Sequence, residues 1–215
     1  MIDTVVFENA NGERLIPHQH GIWMKYHDAT PPSPKIYRFP IDGMDGSLDM
    51  TEWAGETKYE DREVKIGFRD MTTRFYDELT QFCLGRMVKI MFSDDPEYYF
   101  YGRGNADTKS TRHRVTDGDI SFTCEPYRLA RSETVISQSY TNSASITLKA
   151  KRKSVIPYFT FSKTTTLAWG GTTYSSLPTT QHTVSGIVVT DRAGTLTVTA
   201  SGSATIEIKW RDGIL

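Results

Sequence analysis

The sequence predicts a mainly β protein with one α-helix, divided into an N-terminal β domain that carries the helix and a small C-terminal β-sandwich. Three observations predict it. Apolar and polar residues alternate with period two in several short runs, as in Val64, Ile66 and Phe68 against Glu63, Lys65 and Gly67. One stretch has helical spacing, with Phe75, Leu79 and Phe82 at i, i+4 and i+7. Near residue 130 the composition changes from acid-rich and aromatic to Thr/Ser-rich with few acids. The expected organisation is a domain over 1–130, a polar linker or crossover strand over 131–145, and a β-sandwich over 146–215.

Val5-Val6-Phe7-Glu8 and Arg14-Leu15-Ile16 flank Asn11-Gly12, a dipeptide that tolerates the positive φ of a tight turn, so they read as a hairpin. Pro31, Pro32 and Pro34 rule out helix or central strand over 27–34 and leave an extended connection. Lys35 to Ile41 reads as a strand running into the glycine-punctuated loop Asp42-Gly43-Met44-Asp45-Gly46. The helix is expected over about 71–85, capped by Asp70 or Thr72 and ended by Gly85, with Tyr76 and Cys83 widening its apolar stripe. Strands follow at Val88 to Phe92, Glu97 to Gly102 and Ile120 to Cys124. In the second part Gly170-Gly171 marks a turn. Thr195 to Ala200 and Thr205 to Trp210 flank Ser201-Gly202-Ser203 and read as a further hairpin.

Composition narrows the function. The 215 residues carry a net charge of -1, so no general basic excess points to nucleic acid as the main partner. The charge is unevenly shared: residues 131–215 hold nine Lys and Arg against four acids, a net of +5, and the rest is net -6. Charge-guided packing of neighbouring subunits is one reading of that division and two ordinary solvated surfaces is the other. No apolar run reaches the roughly 18 residues of a membrane span, and the first residues do not read as a signal peptide. Cys83 and Cys124 lack close-spaced Cys or His partners and read as buried reduced thiols.

No catalytic constellation emerges, and the expectation is a non-enzyme without metal or cofactor. His18 and His20 would share a strand face but lack a third ligand at supporting spacing. Asp94, Asp95 and Glu97 precede or flank Pro96 as a solvated turn does, whereas glycosidase carboxylates come from separate segments of a cleft. There is no Gly-x-Ser-x-Gly elbow, and Gly102-Arg103-Gly104 lacks the third glycine of a phosphate loop. Tyr98-Tyr99-Phe100-Tyr101 is aromatic on both strand faces. One face suits the protein's own core, and the other needs a second sheet or a neighbouring subunit. Lys149-Ala150-Lys151-Arg152-Lys153 is a basic cluster that reads as a solvated strand end, a contact for DNA in transit, or a site for an acidic neighbour.

Taken in order, these segments resemble the distal tail protein (Dit) family of siphophages. The resemblance rests on Phe39 to Glu52, read as Phe-Pro-Ile-Asp-Gly-Met-Asp-Gly-Ser-Leu-Asp-Met-Thr-Glu, on Tyr59 to Val64, on the helix with Val88 to Arg103, and on Ile120 to Tyr127. The last ten residues are similar to the family's terminal strand. The resemblance implies an N-terminal domain that assembles into a ring, a hexamer, around a central channel. It also implies a C-terminal β-sandwich of galectin-like or carbohydrate-module-like form, and a structural role at the phage tail tip of a virion whose parts are made in the bacterial cytoplasm. The implied partners are tail tube, tape-measure and tail-associated proteins, with receptor-binding proteins as further candidates, and neither a membrane nor a specific nucleic-acid sequence. Subunit contacts are expected at Asp42, Gly43, Asp45, Gly46, Glu52, Tyr99 and Tyr101. The competing reading is a carbohydrate-binding host-adhesion module in which Trp169, Tyr174 and Trp210 stack on sugar rings, although core packing is the commoner use of each.

Overall fold

The computed structural model describes residues 4–53, 55–112 and 115–215, which form two compact units, 1–128 with Leu215 and 129–214. In the first unit seven strands form one antiparallel sheet. They are β1 (Val5–Glu8), β2 (Arg14–Leu15), β3 (Trp23–Ala29), β6 (Arg62–Met71), β7 (Met87–Phe92), β8 (Tyr98–Arg112) and β9 (Val115–Cys124), in the order β2-β1-β7-β8-β9-β6-β3. The sheet curls over on itself. Phe7 of β1 stacks on Phe122 of β9 at 5.6 Å between ring centroids and meets Phe68 of β6 edge-on at 6.5 Å. In a flat sheet those strands would lie roughly 14 and 19 Å away, at about 4.8 Å per step. The enclosed core is built chiefly from the inward sets of β1, β6, β7 and β9: Val5 and Phe7, Val64, Ile66 and Phe68, Val88, Ile90 and Phe92, Ile120 and Phe122.

The single helix, α1 (Thr73–Cys83), starts where the sequence allows, with the Thr72 hydroxyl accepting the Phe75 N–H at 3.2 Å. Its buried side is Phe75, Tyr76, Leu79 and Cys83, the predicted stripe. Two glycines let it sit close on β8 and β9. A Cβ at Gly104 would run into the Cys83 carbonyl, and one at Gly118 would come within 2.7 Å of the Tyr76 ring. Gly85, at φ 67°, then turns the chain out of the helix.

Between β3 and β6, which are neighbours in the sheet, the chain makes a long excursion. It carries a separate two-stranded hairpin, β4 (Arg38–Pro40) with β5 (Ser47–Asp49), in the register Phe39↔Leu48. The first hairpin of the sequence is also present, but its turn is longer than a two-residue Asn-Gly turn. Phe7 pairs with Leu15, and the connection is organised by Asn9, whose side-chain oxygen accepts the N–H groups of Asn11 and Glu13 at 2.9 and 3.0 Å.

The second unit is one six-stranded sheet. Its spine is β16 (Gly194–Trp210), flanked along one edge by β11 (Thr134–Leu148). Along the other edge lie β12 (Tyr158–Phe161) and β13 (Thr165–Trp169). Outside these lie β15 (His182–Thr183) and β14 (Thr172–Leu177), the latter joined to β13 through Gly170-Gly171 at φ 56° and 83°. A short strand, β10 (Arg128–Ala130), pairs with β17 (Gly213–Ile214). Of the two readings of 131–145, linker or crossover strand, residues from 134 onward take the strand, as most of β11. One sequence expectation changes here. Ser201-Gly202-Ser203 is no hairpin turn, because β16 runs straight through it. Gly202 (φ 70°) and Asn142 (φ 63°) form a paired bulge, with the Gly202 N–H donating to the Asn142 side-chain oxygen at 3.1 Å. The parity of burial runs unbroken through the bulge: Leu196, Val198, Ala200, Ala204, Ile206, Ile208 and Trp210 all face one core.

Two outcomes follow from this packing. Gly104→Val should lower stability by at least about 1–3 kcal/mol in urea unfolding, because the helix has no room to retreat from β8. Cys83 and Cys124 are fully buried, and burial pushes each thiol up to about 12. Neither should react with a disulfide reagent in native protein at pH 8, and both should react once the chain is unfolded.

Candidate assembly surface

The β4–β5 hairpin has a strongly apolar face. Phe39 stands opposite Leu48, and alternation puts Tyr37 and Ile41 on the same side. All four are exposed, as are Ile36, Met44 and Trp53, with Phe39 at 52% and Trp53 at 74%. Seven large apolar side chains exposed within 18 residues contrast with the scattered single residues normal on a soluble surface. Nothing within the arm covers this face, because an isolated two-stranded hairpin has no second layer.

Polar groups fix the shape of the arm. Gly43 and Gly46 take φ values of 81° and 85° at its tip, where the Met44 N–H donates to the Ile41 carbonyl at 3.1 Å. On the face away from Phe39, Arg38 and Asp49 pair at 3.3 Å. The Asp49 carboxyl lies below its usual range, chiefly because the hydroxyl and N–H of Thr51 donate to it, and then because of Arg38. Asp42, Asp45 and Glu52 are exposed, and Glu52 accepts the Thr57 hydroxyl at 3.0 Å. A shallow recess of about 460 Å³ opens beside them, lined by Ile36, Arg38, Asp49 and Thr51 among others.

The root of the arm is rigid. Arg62 is buried and carries no ion-pair partner among the described salt bridges. Its guanidinium donates to the carbonyls of Thr30 at 3.0 Å, Pro126 at 3.3 Å and Ala29 at 3.5 Å, and it lies 5.1 Å from the centroid of the Phe100 ring. Further out, Lys35 and Lys58 are joined by a 2.7 Å backbone bond, and Glu60 and Ser33 by one of 2.8 Å.

The structure treats the other singled-out residues unevenly. Asp42, Gly43, Asp45, Gly46 and Glu52 all belong to the arm. Tyr99 and Tyr101 lie on β8, on the face opposite Phe100. Tyr99 is 7% exposed within a single chain, with the Lys89 ammonium 5.7 Å from its ring centroid, so little of it remains for a neighbour to bury. Tyr101 is half-buried. Ile36, Tyr37, Phe39 and Trp53, all exposed, bracket the glycine loop of residues 42–46.

Of the residues named for sugar stacking, Trp210 is 4% exposed, with its indole N–H donating to Asp212 at 3.1 Å. Trp169 and Tyr174 are half-buried and packed against the same core, their rings lying where a Cβ on Gly194 or Gly186 would have to go. The histidines do not converge either. They lie in a short 3₁₀ turn (Pro17–His20) rather than a strand, His18 packing against Trp23 and His20 against Phe75. Of the clustered acids, Asp94 lies in hydrogen-bond contact with His27 at 3.0 Å and Asp95 is in an ion pair with Arg128 at 2.9 Å.

No family model matches the chain, and no curated protein sequence does. Among solved structures it is similar to the crystal structure of SPP1 Dit, described as a paradigm of the hub adsorption apparatus in phages infecting Gram-positive bacteria. The TM-score is 0.65 at 17% identity, over 98% of this chain and 99% of that one. Two structures of the phage P2 baseplate in its activated conformation, with Ca and with Sr, align at TM-scores of 0.48 and 0.47. Their identities are 6% and 7%, over 97% and 98% of this chain and 98% of each of those chains. The fold assignment rests on SPP1 Dit: the chain has the same fold, end to end.

The exposure of the arm's apolar side chains bears on its stability. Phe39→Ser and Trp53→Ser should change unfolding free energy by no more than about 0.5 kcal/mol, as exposed substitutions do. Phe122→Ala, in the core, should cost about 3–5 kcal/mol. If the arm is a contact surface, only the first pair should reduce oligomeric mass in light scattering while leaving the urea midpoint in place.

Proposed function

We propose that the chain is a structural, non-enzymatic hub subunit of a phage tail tip, a ring-forming distal tail protein that joins the tail tube to tail-tip and host-adhesion proteins. The observation that carries this reading is the end-to-end likeness to SPP1 Dit, 98% of one chain on 99% of the other, in both units and in order. The arm supports it independently. A ring subunit needs one patch that leaves its own body and another that receives it, so that a heterologous contact repeats until it closes. The β4–β5 hairpin, with Asp42, Gly43, Asp45, Gly46 and Glu52 at its tip and base, is the patch that leaves.

On this reading the ring is a hexamer built by the first unit, and Tyr101 lies near its contacts. The candidate partners are tail tube, tape-measure and tail-associated proteins, with receptor-binding proteins reached through the second unit. Of the three residues named for the carbohydrate-module alternative, Trp210 has its ring in the core. The test is direct. Antibody-gold against the chain should label the tip of tails on particles that carry it, and negative-stain images of the concentrated protein should show rings. Label absent from the tails, or spread along the tube, would overturn the assignment.

A further inference from the structure

Outside the arm, Tyr26 and Leu84 are the large apolar side chains that the first unit leaves exposed among the described residues. The Tyr26 ring lies over Gly67 of its own sheet, where a Cβ would have to go. Leu84, 44% exposed, follows α1 beside β8: it bridges to Gly104, and the Gly85 N–H donates to the Gly104 carbonyl at 2.8 Å. From there β7 and β8 run antiparallel, with Met87 opposite Arg103 and Lys89 opposite Tyr101. Val88 and Ile90 fill the core, so alternation turns Met87 and Lys89 outward, together with Tyr101 and Arg103. Met87 and Tyr101 are half-buried, and Arg86 and Arg103 are exposed. The result is a patch with an apolar centre, Leu84, Met87 and Tyr101, and two guanidinium groups beside it. Neither arginine has an ion-pair partner among the described residues, and Arg103 donates to the Gly85 carbonyl. Lys89 is already engaged, sharing Glu8 at 2.7 Å with Arg14 at 2.8 Å. In the row of Met87, Arg103 and Thr123 the first acid is Glu63 on β6, two strands beyond Arg103.

We propose that this β7–β8 patch receives the β4–β5 arm of a second copy of the chain. The proposal rests on the ring reading above and names the surface, within the same first unit, that the arm grips. Charge complementarity identifies the occupant. At the arm's tip Asp42 and Asp45 are exposed and without an ion-pair partner among the described residues, whereas Asp49 is taken by Arg38. Two free carboxylates beside Phe39, Ile41 and Leu48 therefore match two free guanidinium groups beside Leu84, Met87 and Tyr101. The carboxylate–guanidinium pairs orient the contact while the apolar centres supply the burial. Topology suits the same pairing. The arm leaves from between β3 and β6, and β8 lies three places from β3 in the sheet order. In a sheet that curls over on itself, strands that far apart turn their outer faces to different sides of the body, as the two patches of a heterologous contact must. Register also sets the two level along the strands. Arg62, at the arm's root, shares a row with Cys124, Gly102 and Val88, and Met87 with Arg103 is the adjacent row. A contact repeated about an axis along the strands can then close without a rise.

Sedimentation velocity on the full chain tests the pairing, up to the highest soluble concentration and at about 100 and 500 mM NaCl. Wild type should associate at the lower salt and at least about tenfold more weakly at the higher. Arg86→Glu with Arg103→Glu should weaken association at least about tenfold, and so should Asp42→Lys with Asp45→Lys. All four changes together should recover it, because the charge pairs are then reversed rather than lost. Leu84→Ser, which alters no charge, should weaken it as well. Lys25→Glu with Arg69→Glu changes the net charge as much as the first pair does, but on β3 and β6 away from the patch, and should leave association as in wild type. Circular dichroism checks the fold of each variant, and the Asp42–Asp45 pair carries the test if loss of the Arg103 bond to Gly85 unfolds the other. A wild-type chain that stays monomeric throughout, charge reversals at the arm or the patch that associate as wild type does, or a fourfold variant no better than either parent would overturn the docking pair. So would a loss as large from the Lys25–Arg69 pair as from the Arg86–Arg103 pair. None of these results touches the tail-tip assignment, which stands or falls on the gold label.

Discussion

Arg62 sits where three stretches of chain leave the first sheet, and its guanidinium is the joint between them. It donates to Ala29 and Thr30, where β3 ends and the arm begins, and to Pro126, where β9 has ended. A buried cation is tolerable only if its donors are satisfied and its charge is met. Here three carbonyl dipoles and the face of Phe100 do this without a carboxylate, and burial, with the nearby Arg128, draws its pKa below the usual arginine value. The arm therefore departs from a fixed point, and a hairpin with no core of its own can still present its apolar face in a defined direction.

The first unit reaches its core by a single antiparallel sheet bent until distant strands meet, which brings Phe7 onto Phe122 and Phe68. In the second unit the pairing of β11 with β16 is interrupted at one bulge, Asn142 against Gly202, halfway along β16. Among the described residues the exposed large apolar side chains include the set on the arm in one unit and Ile156, Tyr158 and Val188 in the other.

Much of this was legible in the sequence, and the misses share a cause. The helix stripe, the alternating strands and the Gly170-Gly171 turn were read from local pattern, because the feature and its reason lie within a few residues of one another. Ser201-Gly202-Ser203 has the composition of a turn but is the bend of a strand. What distinguishes the two is Asn142, sixty residues away and invisible to a local reading. The unbroken parity from Leu196 to Trp210 was the one local hint, since every even position across the glycine is apolar, small or glycine. The alternation that runs from Leu196 to Trp210 also fits the core packing of the Trp210 ring, which the sequence offered as the commoner use of that residue. The glycine-rich Asp42 to Glu52 loop was marked by its motif, whereas exposure of Phe39 and Trp53 is a tertiary fact: an apolar residue in a sequence reads as core until the fold fails to bury it.

That failure to bury is the strongest functional statement the chain makes. A hairpin whose apolar face meets water gains nothing in stability for its own unit and invites unwanted pairing at its edges. The acids Asp42, Asp45, Asp49 and Glu52 keep the arm soluble without removing its apolar face, as charged gatekeepers beside an obligatory contact surface do. The glycines at 43 and 46, the Arg38–Asp49 pair and the Thr51 bonds to Asp49 set its shape before any partner arrives, which lowers the entropy that docking must overcome. On the proposed ring reading, this costly, pre-shaped and charge-guarded surface is the one that a neighbouring chain covers.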